Sequence, residues 1–110
     1  MYLFLRCACL AIGAILIATA FKASAAEQTI SQKDRAFWPA SVTIKAGDTV
    51  DFVNDDDVSH NVVSTSSGHE FDLGEQKPGV GTSVTFTTPG EVEVRCLIHP
   101  RMRATIKVTK

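Results

Sequence analysis

At 110 residues and 11.9 kDa the chain holds one domain at most, which excludes a dinucleotide fold, an α/β barrel or a multidomain oxidase. Its 11 Lys and Arg nearly balance 12 Asp and Glu. There is no basic field to neutralise phosphates, so no nucleic-acid partner is expected.

The chain opens with a targeting pattern. Arg6 precedes an uncharged run from Cys7 to Phe21, closed by Lys22 and followed by the small residues Ala23, Ser24, Ala25 and Ala26. This reads as a secretory signal peptide over residues 1–26, with an Ala-x-Ala type cleavage site near Ala25 or Ala26. The uncharged run is short for a membrane span, which needs ~20 residues. Cys7 and Cys9 stand at its start rather than its end, which argues against lipid attachment. The working domain is therefore residues 27–110, periplasmic or otherwise exported, with no stable membrane association after cleavage. Loss of Arg6 and Lys22 leaves 9 basic against 12 acidic side chains, a net charge of −3. Cys96 becomes the sole thiol, so an internal disulfide is impossible. A lone thiol in an oxidising compartment calls for burial or ligation.

From there the sequence reads as short strands and turns. Gln28–Lys33 is a first strand, and Phe37-Trp38-Pro39 is expected to break it. Val42 and Ile44 alternate with polar neighbours up to the turn Ala46-Gly47-Asp48, and Val50 and Phe52 alternate in the next strand. Asn54-Asp55-Asp56-Asp57 is a polar loop; its acids read as a solvated turn placed to steer a partner. Asn61–Ser64 is extended. Loops follow at Ser64–Gly68 and Gly74–Gly81. Val84 and Phe86 share a face, Thr88-Pro89-Gly90 turns, and Val92 and Val94 lead to Cys96. Ala104, Ile106 and Val108 mark the last strand. This is an all-β pattern, an antiparallel sandwich or barrel.

Strand parity then places the chemistry. Side chains alternate faces along a strand. Cys96 shares parity with Val92 and Val94, and Met102 with Ala104, Ile106 and Val108. Both sulfurs therefore point inward, on either side of the tight loop Leu97–Arg101 that carries His99. His60 follows the polar loop at a strand start. One thiolate, two imidazoles and a thioether form a His2Cys set with a weak axial Met, the donor set of electron-transfer copper. Thiolate and thioether suit Cu(I), imidazole suits Cu(II), and a rigid β frame limits reorganisation between them. Zinc also takes Cys and His, but its structural sites recruit four good ligands. His69, in Ser66-Ser67-Gly68-His69-Glu70, reads as a loop residue outside the site. Arg95, Arg101 and Arg103 bracket the ligand loop, either as a docking rim for an acidic partner or as outward-facing strand residues.

The segments Phe37–Val50, Asp57–Val62 and Cys96–Met102 resemble the cupredoxins, the small blue copper proteins, in their plastocyanin and amicyanin branch. The likeness runs from Phe37 to Val108, and the compact Cys-x-x-His-x-x-Met spacing is the amicyanin one. Ile98 stands where many relatives carry Pro, which adds a backbone donor beside the thiolate. The resemblance implies an antiparallel Greek-key β-sandwich of about seven to eight strands. It also implies one copper ion on His60, Cys96, His99 and Met102, with Asn61 steadying the region beside the Cys. The function implied is a diffusible one-electron carrier rather than an enzyme. It would be a monomer that docks transiently near His99 with a protein redox donor and acceptor. A copper chaperone or sequestering protein using the same ligands is the alternative.

Overall fold

The computed structural model describes residues 12–19 and 25–110. The rest of the signal-peptide reading lies outside the described residues. Among those described, residues 12–19 are exposed without regular structure, and no helix is long and apolar enough to cross a membrane.

Nine strands follow in order: β1 Glu27–Lys33, β2 Ala36–Trp38, β3 Ser41–Lys45, β4 Thr49–Asn54, β5 His60–Ser64, β6 Phe71–Gln76, β7 Gly81–Thr85, β8 Gly90–Arg95 and β9 Arg103–Thr109. They form a four-stranded sheet, β2-β1-β4-β7, facing a five-stranded sheet, β3-β9-β8-β5-β6. The all-β sandwich is as the sequence implies, but two pairings differ from the antiparallel expectation. β1 runs parallel to β4 and β3 parallel to β9. The cause is the crossing of the chain between sheets. After β2 it passes to the second sheet as β3 and returns as β4, which enters beside β1 in the same direction.

The extra strands come from segments read as breaks and loops. Phe37 and Trp38 lie in β2, joined to β1 by the two-residue turn Asp34-Arg35. Both turn residues have positive φ, 51° and 55°. That is the type I′ backbone that matches strand twist, here without the usual Asn or Gly. Pro39 ends the strand rather than preventing it, after a cis Trp38–Pro39 bond. Similarly, β6 extends to Gln76, through part of the expected Gly74–Gly81 loop.

The core forms where inward faces meet. Ile30 lies opposite Phe52 across the parallel pair, and Val42 and Ile44 lie opposite Ile106 and Val108. All six are buried. Phe71 bridges Phe52 and Phe86, with ring centroids 6.3 and 6.1 Å away. A register shift between Asn61 and Val63 interrupts alternation in β5, so Val62, Val63 and Ser64 are all buried. Such a bulge re-aims neighbouring side chains, and this one sits beside His60.

Candidate metal centre

Strand ends build the site. β4 ends at Asn54, β5 begins at His60, β8 leads into Cys96, and β9 begins just after Met102. All four positions fall at one pole of the sandwich. Cys96 and His60 are fully buried, Met102 is 1% exposed, and His99 is half-buried in the loop. The loop closes on its own backbone: Met102 N donates to His99 O at 2.9 Å, and Cys96 N donates to Met102 O at 3.2 Å. These two bonds hold the three loop donors of the Cys-x-x-His-x-x-Met segment around one turn.

The donor atoms converge. His60 Nδ1 and His99 Nδ1 are 3.1 Å apart, and Cys96 Sγ lies 3.9 Å from the first and 3.8 Å from the second. Metal–nitrogen bonds of about 2.0 Å and metal–thiolate bonds of about 2.3 Å permit N···N spacings up to about 4.0 Å and S···N spacings up to about 4.3 Å. One ion therefore reaches all three atoms. Among the described residues this is the group of three or more His, Cys, Asp or Glu side chains close enough to share a metal.

Neighbours fix the ligand orientations. Asn61 N donates to Cys96 Sγ at 3.4 Å, while Asn61 Oδ1 accepts from Leu97 N at 2.7 Å. Asn61 thus ties β5 to the ligand loop, the role its sequence position implied. The amide reaching the thiolate here is that of Asn61; the sequence had pointed to Ile98.

Asp56 is the residue that sequence reading underrated. Its Oδ2 accepts from His60 Nε2 at 2.9 Å and from Arg35 N at 2.9 Å. With Nε2 carrying the hydrogen, the Nδ1 lone pair of a neutral His60 faces Cys96 and His99. Donation from Arg35 N, then from His60, holds the Asp56 carboxyl well below the usual carboxylate range. The Asp56 backbone is itself anchored through buried Asn54. Asn54 Oδ1 accepts from Asp56 N at 3.0 Å, and Asn54 Nδ2 donates to Val58 O at 2.9 Å and Gln76 O at 2.8 Å. Gln76 is in turn reached by Gln32 Nε2 at 2.6 Å. A polar chain therefore runs from the core to the ligand ring. The available sequence signal was an Asp four residues before a candidate ligand His. Asp56→Asn removes the charge behind the imidazole and is expected to weaken Cu(II) affinity roughly 10–100-fold, measured by competition with a chelator.

His69 stands apart, as expected. Its ring is strapped between Thr88 O at 2.8 Å and Ser67 O at 3.2 Å. Of the three arginines, Arg103 pairs with Glu93 at 3.2 Å and Arg95 reaches Thr65 Oγ1 at 3.4 Å, both as strand-face contacts. Arg101 instead joins Arg35, Ile98, His99 and Pro100 around a surface depression over the site.

The family model described as copper binding proteins of the plastocyanin/azurin family matches residues 24–109. The chain belongs to that family, the cupredoxins, on its amicyanin-like side, and the metal it binds is copper. Among curated proteins it is similar to a methylamine utilization protein MauL of Methylophilus methylotrophus, 36% identical over 80 residues, covering 68% of this chain and 45% of that protein. A MauL of Methylorubrum extorquens is 40% identical over 60 residues, covering 54% and 53%. The chain thus spans about half the length of the curated relatives it matches. Among solved structures, a reduced amicyanin variant superposes with TM-score 0.68 at 27% identity, covering 74% of this chain and 80% of that one. A copper-containing nitrite reductase from Thermus scotoductus gives 0.72 at 28%, over 87% of this chain and 25% of that one.

Proposed function

We propose that residues 27–110 form an exported, diffusible one-electron carrier that holds a single copper ion on His60, Cys96, His99 and Met102. The observation that carries this reading is the meeting of His60 Nδ1, Cys96 Sγ and His99 Nδ1 within 3.9 Å, with two ligands buried and one at the surface. Copper bound there supplies one-electron redox chemistry between Cu(I) and Cu(II). The chain supplies a frame that keeps the donors in place in both states. Its burial of Cys96 and His60 excludes water and opposes the ready metal exchange a chaperone needs. The chain's other histidine, His69, is committed to Ser67 and Thr88, which supports a carrier over an enzyme with a second catalytic copper. β1 begins at Glu27, consistent with a leader cut after Ala25 or Ala26.

The docking surface in this reading is the depression around His99. Ile98 is 52% exposed there, flanked by Arg35 and Arg101, and its chain neighbour Leu97 is 59% exposed. An apolar patch with two cations suits a transient partner with an acidic rim. The relatives named for methylamine utilization make an amine-oxidising system the first place to seek the donor.

Repeated reduction and oxidation of the copper-loaded protein before a Cu(I) chelator tests the reading. A carrier keeps one copper per chain through the cycles; release of Cu(I) to the chelator would instead show a chaperone. The axial ligand has its own expectation. Met102→Gln should retain copper but lower the reduction potential, because a harder oxygen donor favours Cu(II). Potentiometry showing no shift, or a rise, would remove Met102 from the ligand set.

A further inference from the structure

At the pole opposite the donor cluster, Asp48 has both carboxylate oxygens engaged. Oδ2 accepts from Lys45 N and Oδ1 from Ala26 N, each at 2.9 Å. Asp48 is only 8% exposed, whereas Ala25 and Ala26 are exposed. Among the described residues Ala26 is also the first tied into the sandwich: Thr49 N donates to its carbonyl at 3.0 Å, extending the parallel β1–β4 ladder by one bond.

We propose that the exported protein begins at Ala26 and that Asp48 is the receptor for its α-ammonium group. The proposal rests on the signal-peptide reading, which leaves two bonds open, after Ala25 or after Ala26. The structure separates them. Cleavage after Ala26 removes the residue whose N–H meets Asp48 and whose C=O meets Thr49, and leaves a mostly buried carboxylate short of one donor. Cleavage after Ala25 keeps both contacts. An export peptidase adds water across the Ala25–Ala26 bond: hydroxyl goes to the Ala25 carbonyl and hydrogen to the Ala26 nitrogen, which takes one further proton from solvent. A neutral amide donor then becomes an ammonium at the same place, and its bond to the ionised Asp48, already charge-assisted on the acceptor side, becomes an ion pair between two full charges. The Ala23-x-Ala25 pattern independently fits this bond.

The backbone donors Lys45 and Ala26 hold the Asp48 carboxyl below its ordinary 3.8, with the Lys45 charge adding to them. Asp48 is therefore ionised at neutral pH. Its contribution to stability is present above the unfolded value and is lost as pH falls through the lower, folded one. The site lies away from the copper ligands, so variants there leave the donor cluster untouched.

The experiment expresses the full chain with export and weighs the purified product by intact-mass spectrometry. The expected mass is that of Ala26–Lys110. A product beginning at Glu27 or elsewhere overturns the proposal while leaving the leader in place; an uncut 110-residue chain overturns the leader reading itself. A second measurement titrates the Ala26 amine by NMR in the reduced, copper-loaded protein. It should titrate above the ordinary range of about 7.7–8.0, and Asp48→Asn should return it there. An amine already in that range, and indifferent to Asp48→Asn, would overturn the receptor role.

Discussion

Replacing Cys96 by Ser should erase the intense visible absorption of the Cu(II)-loaded protein. That absorption needs a thiolate on the metal, and Cys96 is the sole thiol in residues 27–110. The substitution is nearly isosteric. It leaves the loop bonds from Cys96 N to Met102 O and from Met102 N to His99 O in place, because both are backbone bonds. The fold should therefore survive while the colour does not, and far-UV dichroism of the same sample separates the two. Copper affinity should fall as well, since a hydroxyl stays protonated where a thiol gives up its proton to a metal. Full colour in the Ser variant would remove Cys96 from the site.

The second large effect concerns the frame. Phe52 is fully buried, faces Ile30 across the β1–β4 pair and stacks at a tilt on Phe71. Phe52→Ala deletes a ring that no neighbour is positioned to replace, at a cost of about 3–5 kcal/mol. Small domains have only about 5–15 kcal/mol in all. The copper-free variant should unfold at a much lower denaturant concentration than the parent. Copper finds all its donors together only in the folded state, so it should bind that state more tightly and recover part of the loss by mass action. A loss below about 1 kcal/mol in the copper-free protein would contradict the central place of Phe52 in the core.

How much of this was legible in the sequence depended on the range of each interaction. The inward direction of Cys96 and Met102 follows from strand period alone, and both are buried as that period requires. The convergence of His60 on them needed the family resemblance, because nothing local ties residue 60 to residue 96. Asp56 was hidden for a related reason. An acidic run in a loop ordinarily faces water, and the carboxylate's partner from outside the loop is distant in sequence: the Arg35 amide from the β1–β2 turn, with the Asn54 side chain two residues back holding the Asp56 backbone. The turn was itself obscured, since Asp34 and Arg35 adopt positive φ without a glycine to announce it. Parallel pairing could not be read at all, because alternation along a strand carries no sign of the direction of its neighbour.

Stepwise addition of Cu(II) to the exported protein, followed by visible and electron paramagnetic resonance spectra, tests the central claim most directly. The account predicts an intense thiolate-to-copper band that rises linearly and stops at one copper per chain, with a single Cu(II) signal that vanishes on reduction and returns on reoxidation. Copper that binds without that band, or a band that stops well short of one copper per chain, would contradict a His60, Cys96 and His99 centre.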